Sequence, residues 1–222
     1  MLPKISGDNF RIMWDNAYAV HHLSDAPDQL ANLMALARHH DTNDSMVLFG
    51  STSKVTFTGA GISFLGTSRE KLGEFEQHLS ETMIGFDKVN QLRHVLFLKD
   101  MSGIARHMAR HAALLKPRFA LTEKILSKYL AGKRIGEWSR PNGGYFVSFD
   151  AIPGQAKEII TLAANVGVRL TPAGATFPYG IDPEDRNIRL APTFPALDSL
   201  QQALEVFVVC VQLASVRHYL KS

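Results

Sequence analysis

Two stretches decide the fold: Phe10-Arg-Ile-Met-Trp-Asp15 and Met46-Val-Leu-Phe-Gly-Ser-Thr-Ser-Lys54. Each opens as a short apolar run and ends in polar residues, the pattern of a strand buried in a sheet. The apolar parts are Phe10–Trp14 and Met46–Phe49. Between them Asp25-Ala-Pro27 reads as a helix start, followed at helical spacing by Leu30, Leu33, Met34, Leu36 and Ala37. Arg38, His39 and His40 fill its last turn, where cations suit the helix dipole. Strand, helix and strand make one βαβ unit, which implies parallel pairing.

Working outward, Ile62–Leu65 is a third strand candidate, and a helix starts near Ser68. Met83 to Asn90 is less regular. A long helical pattern runs from Gly103 to Leu130, with Pro117 expected to kink or break it. Ala131-Gly-Lys ends it. Trp138 and a strand Tyr145–Phe149 then flank Arg140-Pro-Asn-Gly-Gly144. A helix over 154–166, strands Val168–Thr171 and Asn187–Leu190, and a final helix from Ala196 complete the chain. The reading is α/β, with a mostly parallel sheet and helices over residues 1–100 and an α+β region over 101–222.

Composition narrows the function classes. The 222 residues carry 24 Lys plus Arg against 21 Asp plus Glu, a net charge of +3, with no basic block of the kind a phosphate-tracking surface shows. No nucleic-acid partner is expected. No apolar run approaches the roughly 20 residues of a membrane span, and Met1–Asp8 has no apolar signal core. The single cysteine, Cys210, lies in an apolar run and reads as a buried, inert thiol. These features predict a cytoplasmic protein.

The chemistry gathers at the strand ends, where an α/β sheet holds its ligands. Asp15 ends the first strand and Tyr18 follows; Ser51, Ser53 and Lys54 end the second. A lysine partly withdrawn from water can act as a nucleophilic amine. A carboxylate can hold a proton on a heterocycle's nitrogen, a phenol can share one with a ring oxygen, and hydroxyls can hold a phosphate. Together these meet the demands of pyridoxal 5′-phosphate. No metal is expected. His21-His22 and His39-His40 read as capping, packing or solvated residues, and His107 with His111 as part of a solvated cationic face beside Arg106 and Arg110.

The sequence resembles the C-terminal part of a fold-type I, class I aminotransferase. The resemblance rests on Trp14-Asp-Asn-Ala-Tyr-Ala-Val20, Ser51-Thr-Ser-Lys-Val-Thr-Phe-Thr-Gly-Ala-Gly61, Pro141-Asn-Gly-Gly-Tyr-Phe146 and Asn187-Ile-Arg-Leu-Ala-Pro-Thr-Phe-Pro195, in family order. Asp15–His22 and Thr171–Pro178 are similar to a bacterial aspartate aminotransferase-like subgroup. The resemblance implies part of a cofactor-binding large domain followed by the whole small domain. It implies that Lys54 carries the cofactor and moves the substrate proton. Asp15 would protonate the ring nitrogen, Tyr18 bind the ring oxygen, and Ser51 and Ser53 serve the phosphate, Ser51 first. Arg189 would grip the substrate carboxylate in preference to Arg186, because it alternates with Ile188 and Leu190 on a strand. Lys88, Arg93 and Lys99 stay outside the site.

Two departures stand out. Many class I members place a phosphate-binding arginine where this chain has Ile62. Family members are also about twice as long, so the N-terminal half of the cofactor domain has no counterpart here. The partners implied are an amino acid, a 2-oxo acid, and a homodimer or a missing N-terminal half. The alternative reading is an inactive fragment, or half of a split enzyme. A transcription regulator's effector domain ranks below both, since nothing here reads as a helix-turn-helix.

Overall fold

The computed structural model describes residues 10–221. Met1–Asn9, which includes the segment read for a signal, lies outside the described residues. The chain divides into two compact units: residues up to His21 together with Asp28–Ala109, and His22–Pro27 together with 110–221.

The first unit holds a sheet of three strands in the order β1 (Ile12–Asp15), β2 (Met46–Ser51), β3 (Ser63–Gly66). β1 and β2 are parallel, with Ile12 opposite Met46 and Asp15 opposite Phe49. The βαβ reading therefore holds. β3 runs antiparallel to β2, so the sheet is mixed rather than mostly parallel. β1 is also not the buried strand its composition suggests. Its residues alternate between half-buried and exposed, and Met13 is 76% exposed. Among the described residues it has a strand neighbour on one edge only.

The crossover helix α1 spans only Leu33–His39. Its N-cap is Asn32, whose side chain accepts the Ala35 N–H at 3.0 Å, so the helix begins there and not at Pro27. Helix α2 (Arg69–Thr82) starts as expected, capped by the Ser68 hydroxyl. The irregular stretch gives way to an unforeseen helix, α3 (Lys88–Leu98), capped by Asp87. Helix α4 (Met101–Leu130) continues through Pro117 without a break and carries the chain from one unit into the other.

The second unit is built on an antiparallel sheet in the order β4 (Gly136–Trp138), β5 (Val147–Ala151), β6 (Asn187–Leu190). Helix α5 (Ala156–Asn165) places Ala156, Ile159 and Ala163 on one buried stripe. Val168–Thr171 is not a strand. The Val168 N–H bonds back to the Ala163 carbonyl at 2.9 Å, across Gly167 at φ 90°, so the segment closes a helix instead of joining a ladder. Helix α6 (Leu197–Lys221) is long and apolar enough to cross a membrane by length and composition, contrary to the sequence reading. Its Leu200, Leu204, Phe207, Val211 and Ala214 belong to the core of this unit. Cys210 is buried there too, and burial pushes its thiol up.

Candidate functional site

Parallel pairing places the carboxyl ends of β1 and β2 at one edge of the first sheet. The ladder continues one step past β1, where the Asn16 N–H donates to the Phe49 carbonyl at 2.8 Å. Asp15 is exposed there, and its Oδ1 accepts the Ala17 N–H at 3.2 Å. Tyr18 is 38% exposed and meets the His21 ring edge-on, with centroids 5.2 Å apart.

β2 ends at Ser51 and the chain folds into a single helical turn. The N–H groups of Val55 and Thr56 both donate to the Thr52 carbonyl at 2.8 Å. Lys54 sits on this turn. Its side chain is exposed and not partly withdrawn from water as the sequence reading expects. The Ser51 hydroxyl donates to Ser53 Oγ at 2.8 Å and accepts the Ser53 N–H at 3.0 Å, so the two serines form one hydroxyl pair. Ile62 contributes backbone only. Its N–H donates to Thr52 Oγ1 at 2.8 Å, and its carbonyl accepts the Thr52 N–H at 2.9 Å. Gly61 is required at this point, because an added Cβ would lie 2.4 Å from Ser53 Oγ and 2.6 Å from its nitrogen. A cavity of about 460 Å³ lies on this unit, lined by Asn16, Val20, Phe49, Thr52, Val55 and Ile104 among others.

Arg189 lies on β6 of the second unit, between the buried Ile188 and Leu190. Its guanidinium stacks over Phe146 at 4.8 Å, and its Nε is buried without a hydrogen-bond partner. It lines a cavity of about 170 Å³ with Val168, Thr171, Pro195, Leu204 and Phe207. Arg186, its competitor, shares a buried Nε without a partner, but its Nη1 is engaged locally and donates to Glu184 at 3.1 Å. That bond, with desolvation opposing, holds the Arg186 pKa above its usual value. An unpaired buried donor on a planar, always-charged group suits a carboxylate ligand.

Three residues around the turn escaped the sequence reading. His21, read as capping, packing or solvated, is 4% exposed and so packed; His94, 6% exposed, is not singled out in the sequence reading. His107, read as part of a solvated face, is half-buried and turns its Nε2 to the Val55 carbonyl. The findable signal was Thr52 and Thr56, four apart on one turn, which places two hydroxyls on one face toward a common partner.

The model of the family described as "Aspartate amino-transferase" matches residues 2–222. The chain belongs to this aminotransferase family. It is 46% identical over 214 residues to a Mycolicibacterium smegmatis protein with aminotransferase in its name, covering 96% of this chain and 50% of that protein. It is 40% identical to the aspartate aminotransferase of Corynebacterium glutamicum, covering 95% of this chain and 49% of the relative. The crystal structure of an aspartate transaminase from C. glutamicum superposes with a TM-score of 0.92, at 40% identity, over 95% of this chain and 50% of that one. The fold is shared more widely. An α-aminoadipate aminotransferase of Thermus thermophilus, complexed with N-(5′-phosphopyridoxyl)-L-leucine, gives a TM-score of 0.75 at 20% identity, over 93% of this chain and 51% of that one. The chain spans about half the length of the curated relatives it matches.

Proposed function

We propose that this chain is the C-terminal part of a pyridoxal-phosphate-dependent aminotransferase. It would move an amino group between an α-amino acid and a 2-oxo acid, with aspartate and 2-oxoglutarate as the first pair to try. Its units would be part of the large domain and the small domain, and it would work in the cytoplasm. One observation carries the reading: the parallel β1–β2 pair puts Asp15 and the Lys54 turn at the same edge of one sheet.

The residues present fit the cofactor. The paired hydroxyls of Ser51 and Ser53 can turn toward a phosphate, and Asp15 offers an exposed carboxylate. When bound, the cofactor supplies an aldehyde for an amine and a ring that takes up an electron pair. Asp15 would keep the ring nitrogen protonated, and Tyr18 would donate to the ring oxygen. Lys54 Nζ would take the proton from the substrate Cα, a task an exposed amine can serve. Arg189, with its unpaired buried Nε, would hold the α-carboxylate and so fix the direction of the Cα–H bond.

The missing arginine at Ile62 leaves the phosphate to the serine pair or to a segment outside this chain. A second reading, that the chain works only when paired with an N-terminal half in a homodimer, is favoured by the exposed apolar residues of the first unit. Met13, Phe64, Val89, Leu92 and Leu96 are all more than half exposed, at 76%, 56%, 78%, 57% and 66%.

The test is borohydride reduction of the full chain with pyridoxal phosphate, mapped by mass spectrometry. It is run alone and with a co-expressed N-terminal half from the 40% identical C. glutamicum relative. A stoichiometric adduct on Lys54, absent in Lys54→Ala, supports the reading. Labels scattered over surface lysines in both samples would sink it.

A further inference from the structure

The turn that carries Lys54 is held by three imidazoles from three separate segments. A single helical turn leaves its last carbonyls without partners, so each must be satisfied from outside. The Lys54 carbonyl accepts from His21 Nε2 at 3.0 Å, just beyond β1. The Val55 carbonyl accepts from His107 Nε2 at 2.7 Å, on α4. A carbonyl can only accept, so both Nε2 atoms carry hydrogen.

The third histidine acts on the other side of the turn. His94 of α3 donates from Nδ1 to the Asn90 carbonyl at 2.9 Å. In the neutral ring its Nε2 is then an acceptor that the Thr52 hydroxyl, at 3.1 Å, can donate to; the Thr56 hydroxyl lies 2.9 Å away and also reaches the Thr52 carbonyl at 3.1 Å. Thr52 Oγ1 in turn accepts the Ile62 N–H, which ties the turn to the segment entering β3. Val55 itself is 4% exposed, while Lys54 beside it is exposed. The backbone of the turn is therefore fixed from several directions while the Lys54 side chain is exposed.

We propose that His21, His94 and His107 are positioning residues for Lys54. They act through the backbone of residues 52–56 and set where and how readily its amine meets a carbonyl compound. The inference rests on the assignment of Lys54 as the cofactor lysine, but its first readout does not depend on that assignment.

The experiment compares His107→Leu, which removes the N–H donor, with His107→Gln, which keeps one. Both are made in the full chain. The first readout is amide hydrogen exchange at Val55 and Thr56, the donors inside the turn, with α5 amides as a check that the second unit is intact. The second is the rate of pyridoxal-phosphate labelling at Lys54 relative to a surface lysine such as Lys124. His107→Leu is expected to speed exchange at Val55 and Thr56 by about tenfold, the net worth of one hydrogen bond. It should also erase the preference for Lys54, and His107→Gln should restore both.

Unchanged exchange in His107→Leu overturns the proposal, as does equal behaviour of the Leu and Gln variants. If His107→Leu does not fold, His21→Leu and His21→Gln are read the same way. A wild-type chain that never labels at Lys54, yet shows the exchange pattern above, would remove the cofactor assignment and leave the bracing of the turn standing.

Discussion

The two units reach order by different means. In the second, Phe149, Phe207, Leu126, Ile159, Ile188 and Val211 are almost wholly buried, and Phe149 meets Phe207 edge-on at 5.0 Å. In the first, large apolar side chains stay exposed along β1, β3 and α3, and a polar turn is tied by histidine and threonine hydrogen bonds. A core of packed side chains needs nothing from outside. A sheet with an open face and a braced turn leaves much of its apolar surface uncovered. Among relatives about twice as long, that contrast separates a unit with a closed core from one whose apolar side chains stay exposed around a braced turn.

The largest expected effect is at the centre of the closed core. Phe149→Ala should cost about 3–5 kcal/mol in chemical denaturation, as buried Phe truncations do. Phe64→Ala, at a residue 56% exposed on β3, should cost less than about 0.5 kcal/mol. Similar losses at the two positions would break the comparison, because the first unit would then own a core its exposure does not reveal. Co-expression with an N-terminal half sharpens it: only Phe64→Ala should become more costly.

A smaller effect is expected where the first unit is tight. Gly61→Ala forces a methyl against Ser53 backbone and hydroxyl, which should cost about 1–3 kcal/mol by overpacking. The Lys54 labelling preference should fall with it. Gly73, inside α2 with open space around it, is the control: Gly73→Ala should stabilise by about 0.5–1 kcal/mol through helix propensity. Thermal denaturation of both variants reads the difference. A tolerated Gly61→Ala would mean that the turn is looser than its hydrogen bonds imply.

Legibility in the sequence cut across both units. Strand ends with polar residues are visible in one dimension, so Asp15, Tyr18, Ser51, Ser53 and Lys54 could be named as candidates before any fold was known, while Arg189 entered through the family resemblance. The parallel β1–β2 pair followed from a helix between two apolar runs. What escaped depended on partners far along the chain. Val168–Thr171 has strand composition, but the helix end at Gly167 claims its first N–H. Helix α3 hid because Val89, Leu92, Val95 and Leu96 do not form a buried stripe. His94 is a lone histidine within a helix, and only the turn it meets 38 and 42 residues upstream explains it. The start of α1 was misplaced by Pro27, when Asn32 supplies the cap.

A smaller loss than that of Phe149→Ala is expected where the chain that carries Arg189 is held. Asp182 accepts the N–H groups of Arg186 and Asn187 on Oδ2, each at 2.8 Å, and that of Glu184 on Oδ1 at 3.0 Å, so it fixes the chain where it enters β6. Burial pushes its carboxyl up, but the three backbone donors and the nearby Arg186 charge outweigh that and hold it below the usual carboxylate range. A carboxyl depressed in the folded state stabilises fully above its unfolded value, near 3.8. That contribution is lost as pH falls through the lower folded value. Asp182→Asn keeps an acceptor and removes the charge. It should cost about 1 kcal/mol at pH 7, after solvent screening of a site near the surface. Denaturation curves for the two proteins should then converge as pH drops below 3.8. A constant gap across that range would mean that shape, not charge, holds the entry to β6, and the contrast between a packed unit and a polar-braced one would need no electrostatic part in the second.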